Sequence, residues 1–342
     1  MSGLAVQWAT AALAMLASGL TDQAIDLAWK VWKEAPDCAE ATTLASEVLS
    51  AKVPNWHFRL VRDHVRNAAF DAALRRHIRP GMRVLDIGSG TGLLAMMAAR
   101  AGAAEIISCE ANRAVANAAR EIVNTNGFAQ TIRVVAEHST KLDLHSGLGG
   151  RVDLIVSEIL GNDMLSEGAL ESMEHAVENF LKPGGRVIPA MGTVRIALAF
   201  DRNWSDTRMG LTERFDLSCF NRLARPRYYL PTTDTRLELR SQPENLFEFN
   251  FQSAVKTPDA RTQRALIAHG GPVNCVAQWL HLRMDEEGTY ENDPEDHNYS
   301  NWDIVVYPMP TQIQTEAGEQ IVVNASHDRT RVRVWVDLPA RQ

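Results

Sequence analysis

The segment Val84-Leu85-Asp86-Ile87-Gly88-Ser89-Gly90-Thr91-Gly92-Leu93-Leu94 closes a buried strand on an acidic residue and then opens a helix through three glycines. Glycines at such a turn let the backbone approach a ligand closely, and the helix N-terminus behind them favours a carboxylate or phosphate. Outward from it, short apolar runs alternate with helical stretches from Arg83 to Ala190. RVLDIG, EIISCE, IRVVA, VDLIVSE and RVIPA read as strands. TGLLAMMAARAGA, RAVANAAREIVNTNG and the span from about Leu165 to Leu181 read as helices. Strands separated by crossover helices predict a parallel sheet with helices on both faces, an α/β domain. After Thr193 the texture changes to strand-like runs such as VRIALAF, LFEFNF, CVAQWLHLRM and VRVWVDL, which predict a second, mostly antiparallel domain.

Upstream of this region the chain is Ala-rich and helical. One helix is expected near 4–18 with Gly19 as its stop, and a second over about 22–34 ending at Pro36. Gly19, Ala24, Ile25, Val31 and Pro36 fall at the spacings of one tetratricopeptide repeat, and CAEATTLASEVLS is similar to the first helix of another. One and a half repeats cannot build a solenoid. The segment therefore reads equally as a helical cap or as a partner-binding module. Three divisions follow: residues 1–54 helical and TPR-like, 55–191 the parallel-sheet domain, and 192–342 the antiparallel domain.

Composition narrows the function. The 342 residues carry 35 basic and 42 acidic side chains, a net charge of −7, which argues against general binding to a nucleic-acid backbone. Hydrophobic content of 45% with 23% charged excludes a largely disordered chain. Cys38, Cys109, Cys219 and Cys275 lie far apart with no CxxC spacing, so neither a metal site nor a disulfide framework is expected. The weakly charged stretch from Leu4 to Leu20 lacks a basic leader and is too short and mixed to cross a bilayer. A cytoplasmic chain with no membrane partner is expected.

Two acidic positions give the parallel sheet its chemistry. Glu110 ends the second strand, 24 residues after Asp86, where a carboxylate can accept both hydroxyls of a ribose. A dinucleotide fingerprint fails because Leu93 stands where its third glycine belongs. Asp86 directly ahead of the glycines instead fits S-adenosylmethionine. After the fourth strand comes SEILGNDMLSE, in which Glu158 and Glu167 flank a loop containing Gly161. Ligands of open parallel sheets bind beyond the carboxyl ends of the strands. Two carboxylates brought together there would repel, and a guanidinium, with its planar fork of donors, removes that cost. A favourable acid in the first turn of a helix explains Glu167 alone. It leaves Glu158, at the end of a buried strand, unexplained.

DIGSGTG, Glu110 and the SE(x8)E loop resemble the protein arginine methyltransferase family. The match is closer to the branch holding its seventh and ninth human members than to the main dimethylating branch. TGLLAMMAARAGA, His138-Ser139-Thr140, EGALESMEHA, RFDLSCFNRL and SQPENLFEFNF read like that branch, and the resemblance covers about residues 55–324. It implies a Rossmann-like class I methyltransferase domain followed by a β-barrel domain. It also implies S-adenosyl-L-methionine as cofactor and transfer of a single methyl to a guanidino nitrogen. Arg66 would pair with the cofactor's carboxylate beside the Asp86, Gly88, Gly90 and Gly92 loop. Glu110 would hold the ribose, and His138 and Ser139 would flank the adenine. Glu158 and Glu167 would clamp the guanidinium, with His57 near the active site. Asp206 to Tyr229 occupies the region of the family's dimerisation arm, implying a homodimer.

The departures are specific. The family's Thr-His-Trp loop stands here as Ser300-Asn301-Trp302; asparagine exchanges no proton at neutral pH, while Trp302 keeps its packing surface. The aromatic helix that covers the cofactor is replaced by LSAKVPNWHF, and seven acids crowd residues 285–296, either as a solvated loop or as a guide for basic peptide. The resemblance implies an acceptor that is arginine in a protein or peptide, or free L-arginine. A catalytically weak scaffold acting through the N-terminal helices is the alternative. A nucleobase amino-methyltransferase is disfavoured because Ser157-Glu158-Ile159-Leu160 replaces its Pro-Pro-aromatic segment.

Overall fold

The computed structural model of the chain describes residues 2–337. Its N-terminal helices are α1 (Ser2–Ala17), α2 (Thr21–Glu34) and α3 (Ala39–Ser50), followed by the short α4 (Trp56–Leu60) and by α5 (His64–His77). Small side chains let α1, α2 and α3 pack closely around Ala5, Ala9, Ala12, Ala24, Ala28 and Ala45. Gly19 takes φ of 81° and ends α1 as its sequence position suggests.

The α/β region runs β1 (Arg83–Ile87), α6 (Leu93–Arg100), β2 (Glu105–Cys109), α7 (Arg113–Thr125), β3 (Ile132–Val135), β4 (Val152–Ser157), α8 (Ala169–Phe180) and β5 (Leu181–Ile188). All five strands pair parallel in the order β3-β2-β1-β4-β5. The chain leaves β1 on one side through β2 and β3, then returns to the other side for β4 and β5. The switch point therefore lies between β1 and β4, where such sheets open a crevice at their carboxyl ends. Val84, Leu85, Ile106, Ile107, Leu154 and Ile155 are fully buried, the near-continuous apolar strands of a sheet covered on both faces. The helix expected from about Leu165 begins instead at Ala169, because Met164 and Gly168 take left-handed backbone (φ 73° and 72°) and hold the preceding residues in a loop.

The antiparallel region contains β6 (Met191–Asp201), the small hairpin β7 (Leu211–Thr212) and β8 (Phe215–Asp216), then β9 (Tyr228–Leu230), β10 (Leu237–Leu239) and β11 (Glu244–Asn250). It continues with β12 (Ala260–Arg283), β13 (Thr289–Glu291), β14 (Ile304–His327) and β15 (Val332–Val336). The main path is β10-β6-β12-β14-β15, with β11, β13 and β9 paired to its sides. Among the described residues no pairing joins β10 to β15, so this is an antiparallel sheet without a closing pair. The 24-residue strands β12 and β14 change register near Ile267 and Val273, and Gly270 and Gly271 supply positive φ there. Ala197, Ala199, Cys275, Ala277, Trp279 and Val306 fill one of its cores.

By contacts, the chain forms two compact units. One comprises the residues up to Arg62, Phe70–Glu158 and Glu178–Ile188; the other comprises Asp63–Ala69, Ile159–Val177 and the residues from Pro189 on. In the first unit the N-terminal helices are joined to α7: Arg113 grips Asp26 with two N–H···O bonds of 2.9 and 2.7 Å, and Glu121 accepts from Trp29 Nε1 at 3.0 Å. No helix among the described residues is long and apolar enough to cross a membrane.

Candidate functional site

In the first unit the glycine loop is tied down at the ends of β1 and β2. The amides of Gly88 and Ser89 both donate to the carbonyl of Cys109, at 2.9 and 3.0 Å. Gly88, Gly90 and Gly92 take φ of 82°, 50° and 78°, a region that penalises any side chain. Glu110 closes the loop from the other side: one oxygen accepts the Gly90 amide at 3.1 Å and the other accepts the Asn112 amide at 2.9 Å. A carboxylate has about four acceptor positions, so Glu110 retains capacity for two further donors such as the vicinal hydroxyls of a ribose.

Asp86 is fully buried beneath this loop. Ser108 Oγ donates to its Oδ2 at 2.6 Å, and Ser89 Oγ lies 2.5 Å from Ser108 Oγ. Burial raises the Asp86 carboxyl to about 7, the Ser108 bond opposing and the neighbouring Glu110 charge adding to the shift. Its Oδ1 is buried without a hydrogen-bond partner, as is Oγ of Ser139. Both Ser139 and His138 follow β3, whose Val135 carbonyl accepts the Glu110 amide at 3.0 Å, and His138 caps the turn with Nδ1 2.8 Å from Thr140 Oγ1. Orphaned buried polar atoms in a native fold call for a partner the chain does not supply. A glycine cradle, a part-used carboxylate and these two atoms form a donor and acceptor set that fits S-adenosylmethionine.

His57 also belongs to this unit. Its ring stacks on Trp56 with centroids 3.8 Å apart, and a Cβ built on Gly90 would lie 4.0 Å from its Nδ1. Burial lowers its pKa, favouring the neutral imidazole. It borders a cavity of about 720 Å³ lined by Trp29, Leu49, Pro54, Phe58, Gly90 and Val115, with LSAKVPNWHF forming one wall. Glu158 follows β4, half-buried; Ser157 beside it donates its hydroxyl to the Ile87 carbonyl at 3.0 Å, fixing the ends of β1 and β4 together.

The second unit holds Arg66, Glu167, Asn301 and Trp302. Glu167 is exposed, on a loop anchored at three points before it. Trp302 Nε1 donates to the Leu160 carbonyl at 2.7 Å, the Asp303 amide donates to Asn162 Oδ1 at 3.1 Å, and the buried carboxylate of Asp163 pairs with Arg227 at 2.7 Å. Met164 fills the space beside Gly192, where a Cβ would come 2.7 Å from its sulfur. Arg66 and Asn301 are brought together by Asp63, which accepts the Arg66 amide on Oδ1 at 2.9 Å and the Asn301 amide on Oδ2 at 3.1 Å.

Sequence reasoning missed Asp63 and the Asp163–Arg227 pair. Asp63 carried a signal, since an Asp three residues before a bonded amide at the start of a helix is a capping pattern. The ion pair spans 64 positions in sequence and left none. The acidic stretch 285–296 is also less solvated than its composition suggests. Asp285 is buried and caps the amides of Glu287 and Gly288, and Glu291 accepts from Trp279 Nε1 at 2.6 Å and pairs with Arg195.

Comparison with known proteins adds an independent observation. A family model described as ribosomal protein L11 methyltransferase (PrmA) matches residues 71–192. An arginine N(omega)-methyltransferase of Streptomyces achromogenes subsp. streptozoticus is 34% identical over 293 residues, covering 85% of this chain and 81% of its own. Protein arginine N-methyltransferase 7 of Drosophila grimshawi is 29% identical over 81% of this chain, which spans only 46% of that protein. Among solved structures, the Trypanosoma brucei PRMT1 enzyme-prozyme heterotetrameric complex with AdoHcy matches with a TM-score of 0.71 and 23% identity, over 81% of this chain and 88% of that one, and shares the fold.

Proposed function

The chain belongs to the arginine N-methyltransferase family, and on that premise we propose that it transfers one methyl group from S-adenosylmethionine to a guanidino nitrogen of arginine. The observation that carries the reading is the pair of glutamates around a pinned loop: Glu158 at the end of β4, and Glu167 after Leu160, Asn162 and Asp163 have each been tied to a neighbour. Free L-arginine is the favoured acceptor, because the relative matched along most of both chains is named for arginine, while the one named for protein arginine is matched over less than half its length. Arginine in a peptide is the competing acceptor.

S-adenosylmethionine, when bound, supplies a methyl group made electrophilic by a positive sulfonium. Arg66 would take its carboxylate, Glu110 its ribose hydroxyls, and Ser139 and His138 would flank its adenine, over the loop of Asp86, Gly88, Gly90 and Gly92. The acceptor side belongs to this chain's carboxylates. A guanidinium is a poor nucleophile because its lone pairs are delocalised over three nitrogens. Glu158 and Glu167 would accept N–H bonds from the two non-reacting nitrogens, concentrate positive charge there, and leave the third nitrogen richer in electrons. One of them takes up the proton that this nitrogen gives up as its new bond forms. Holding the nitrogen in place is itself a large part of the rate. His57, Asn301 and Trp302 would wall the acceptor pocket.

Several finer features belong to the same proposal. Residues 1–54 form a TPR-like helical segment, 55–191 the Rossmann-like cofactor domain, and 192–342 a barrel-type domain for substrate and dimerisation. The protein works as a cytoplasmic homodimer. Replacing Glu158 or Glu167 by Gln tests the central step: kcat should fall at least about 100-fold, in the range typical of a lost general base, while the cofactor dissociation constant stays within threefold of wild type. A variant that keeps its turnover would remove the clamp from the mechanism.

A further inference from the structure

We propose that Asn112 is a positioning residue of the cofactor site. It ties the segment 52–58 to the Glu110 carboxylate, so that segment and glycine loop meet S-adenosylmethionine as one preassembled piece. The inference rests on the reading of Glu110 as the ribose carboxylate and is independent of which acceptor is methylated.

Four observations within the first unit carry it. First, Asn112 uses every polar group it has. Its amide donates to Glu110 Oε1 at 2.9 Å, its carbonyl accepts the Ala116 amide at 2.9 Å, and its Oδ1 caps α7 by accepting the amides of Ala114 and Val115 at 3.0 and 3.4 Å. Capping needs only that side-chain oxygen, which Ser or Asp would supply equally well. The side-chain nitrogen is left over from that task, and it donates to the Lys52 carbonyl at 2.9 Å.

Second, Lys52 lies just past the end of α3, where the chain sets out towards α4. Bonds inside that stretch are short-range: the amides of Val53, His57 and Phe58 donate to the carbonyls of Ser50, Pro54 and Asn55 at 3.0, 3.3 and 3.2 Å. They fold the segment on itself, whereas the bond from Asn112 sets its place on the cofactor domain. Third, the far end of the segment returns to the same carboxylate. A Cβ on Gly90 would lie 4.0 Å from His57 Nδ1, and the Gly90 amide holds the other oxygen of Glu110 at 3.1 Å. The two oxygens of Glu110 therefore fix the two backbone points that the segment passes, Asn112 near its start and Gly90 near its end. Asn55, His57, Gly90, Thr91, Ala114 and Val115 border the same cavity of about 720 Å³, so segment, loop and first turn of α7 face a common space.

Fourth, α7 is fixed independently of the segment. Arg113, next to Asn112, grips Asp26 of α2, and Glu121 further along takes Trp29 Nε1 and Lys33, each at 3.0 Å. A segment already held at both ends gives up less conformational freedom when a ligand orders it, and the saving appears as affinity.

The test is Asn112→Asp, which keeps the capping oxygen and the amide to Glu110 and replaces the donor to Lys52, beside Asn112→Ser, which caps without adding charge. Both should melt within about 3 °C of wild type, since the cap survives. The dissociation constant of S-adenosylmethionine by calorimetry should rise about fivefold, the worth of one hydrogen bond. In the protein without added cofactor, amide hydrogen exchange at Val53, His57 and Phe58 should accelerate by about the same factor, while Ala116 in α7 keeps its rate. A residue that merely capped α7 would change Ala116 and spare the segment; that pattern overturns the proposal, as does a dissociation constant within about twofold of wild type in both variants. If Glu110→Gln binds the cofactor as wild type does, only the ribose assignment falls, and the exchange rates of the segment decide the tie to Lys52. Should Asn112→Asp not fold, Asn112→Ser is read by the same two measurements.

Discussion

Glu110 does two things with one carboxylate. Both of its oxygens already hold backbone amides, those of Gly90 and Asn112, before any ribose is bound. Glu110→Gln would turn an N–H₂ towards one of these amides, opening the loop as well as weakening the sugar contact. S-adenosylmethionine affinity should fall about 10–100-fold by calorimetry, the worth of a hydrogen bond to a charged group. Asp86 makes a different prediction. Its folded value, raised to about 7 by burial, lies above the unfolded value of 3.8, so between these two pH values the folded state binds the extra proton. The stability Asp86 contributes is therefore greatest below about pH 4 and is lost as pH rises towards 7, by up to about 1.4 kcal/mol per unit. Denaturant titrations of Asp86→Asn against wild type should show the variant gaining relative stability from pH 5 to pH 7; a difference that is flat with pH would contradict the assignment. The places of both acids at strand ends were legible in the sequence. Their partners were not, because backbone amides and serines carry no sequence signal of that kind.

Among the elements, the loop between β4 and α8 joins sequence to chemistry. Its left-handed Met164 and its anchors at Leu160, Asn162 and Asp163 come from residues more than 60 positions away, which is why apolar periodicity alone extended α8 back to Leu165. Four of the five parallel strands, by contrast, were legible almost to the residue, since fully buried β-branched runs between helices have few other readings; β5 begins at Leu181, five residues ahead of the expected RVIPA run. Gly192 in β6 shows how tightly the loop is held. A Cβ there would meet Met164 at 2.7 Å and the Phe251 ring at 2.9 Å. Gly192→Ala should cost about 1–3 kcal/mol of stability by overpacking. Because Met164 precedes Glu167 on the same loop, kcat should fall more than KM; thermal melting and steady-state kinetics together check this.

On the scale of the whole molecule, the N-terminal helices and the segment after β6 carry the remaining expectations. Asp26, Trp29 and Lys33 of α2 bond to α7, which favours a fixed helical cap over a free partner-binding module for that segment. The segment between β6 and β9 exposes Leu211, Phe215 and Leu223 by 76%, 70% and 73%. Apolar side chains so exposed on a short hairpin and on the helical turn after it suit an interface with a second copy. Sedimentation should give a dimer for wild type and a monomer for Phe215→Glu with Leu223→Glu, with melting temperature unchanged for the isolated chain.

The measurement that bears most directly on the account is methyl transfer from isotopically labelled S-adenosylmethionine, offered separately to free L-arginine and to an arginine-rich peptide, with products read by mass spectrometry and Glu158→Gln run beside wild type. Wild type should place a single labelled methyl on the guanidino group of free arginine, and Glu158→Gln should place none. Label on the peptide alone would move the acceptor to protein arginine. A protein that binds the cofactor yet labels neither acceptor would contradict the arginine assignment itself.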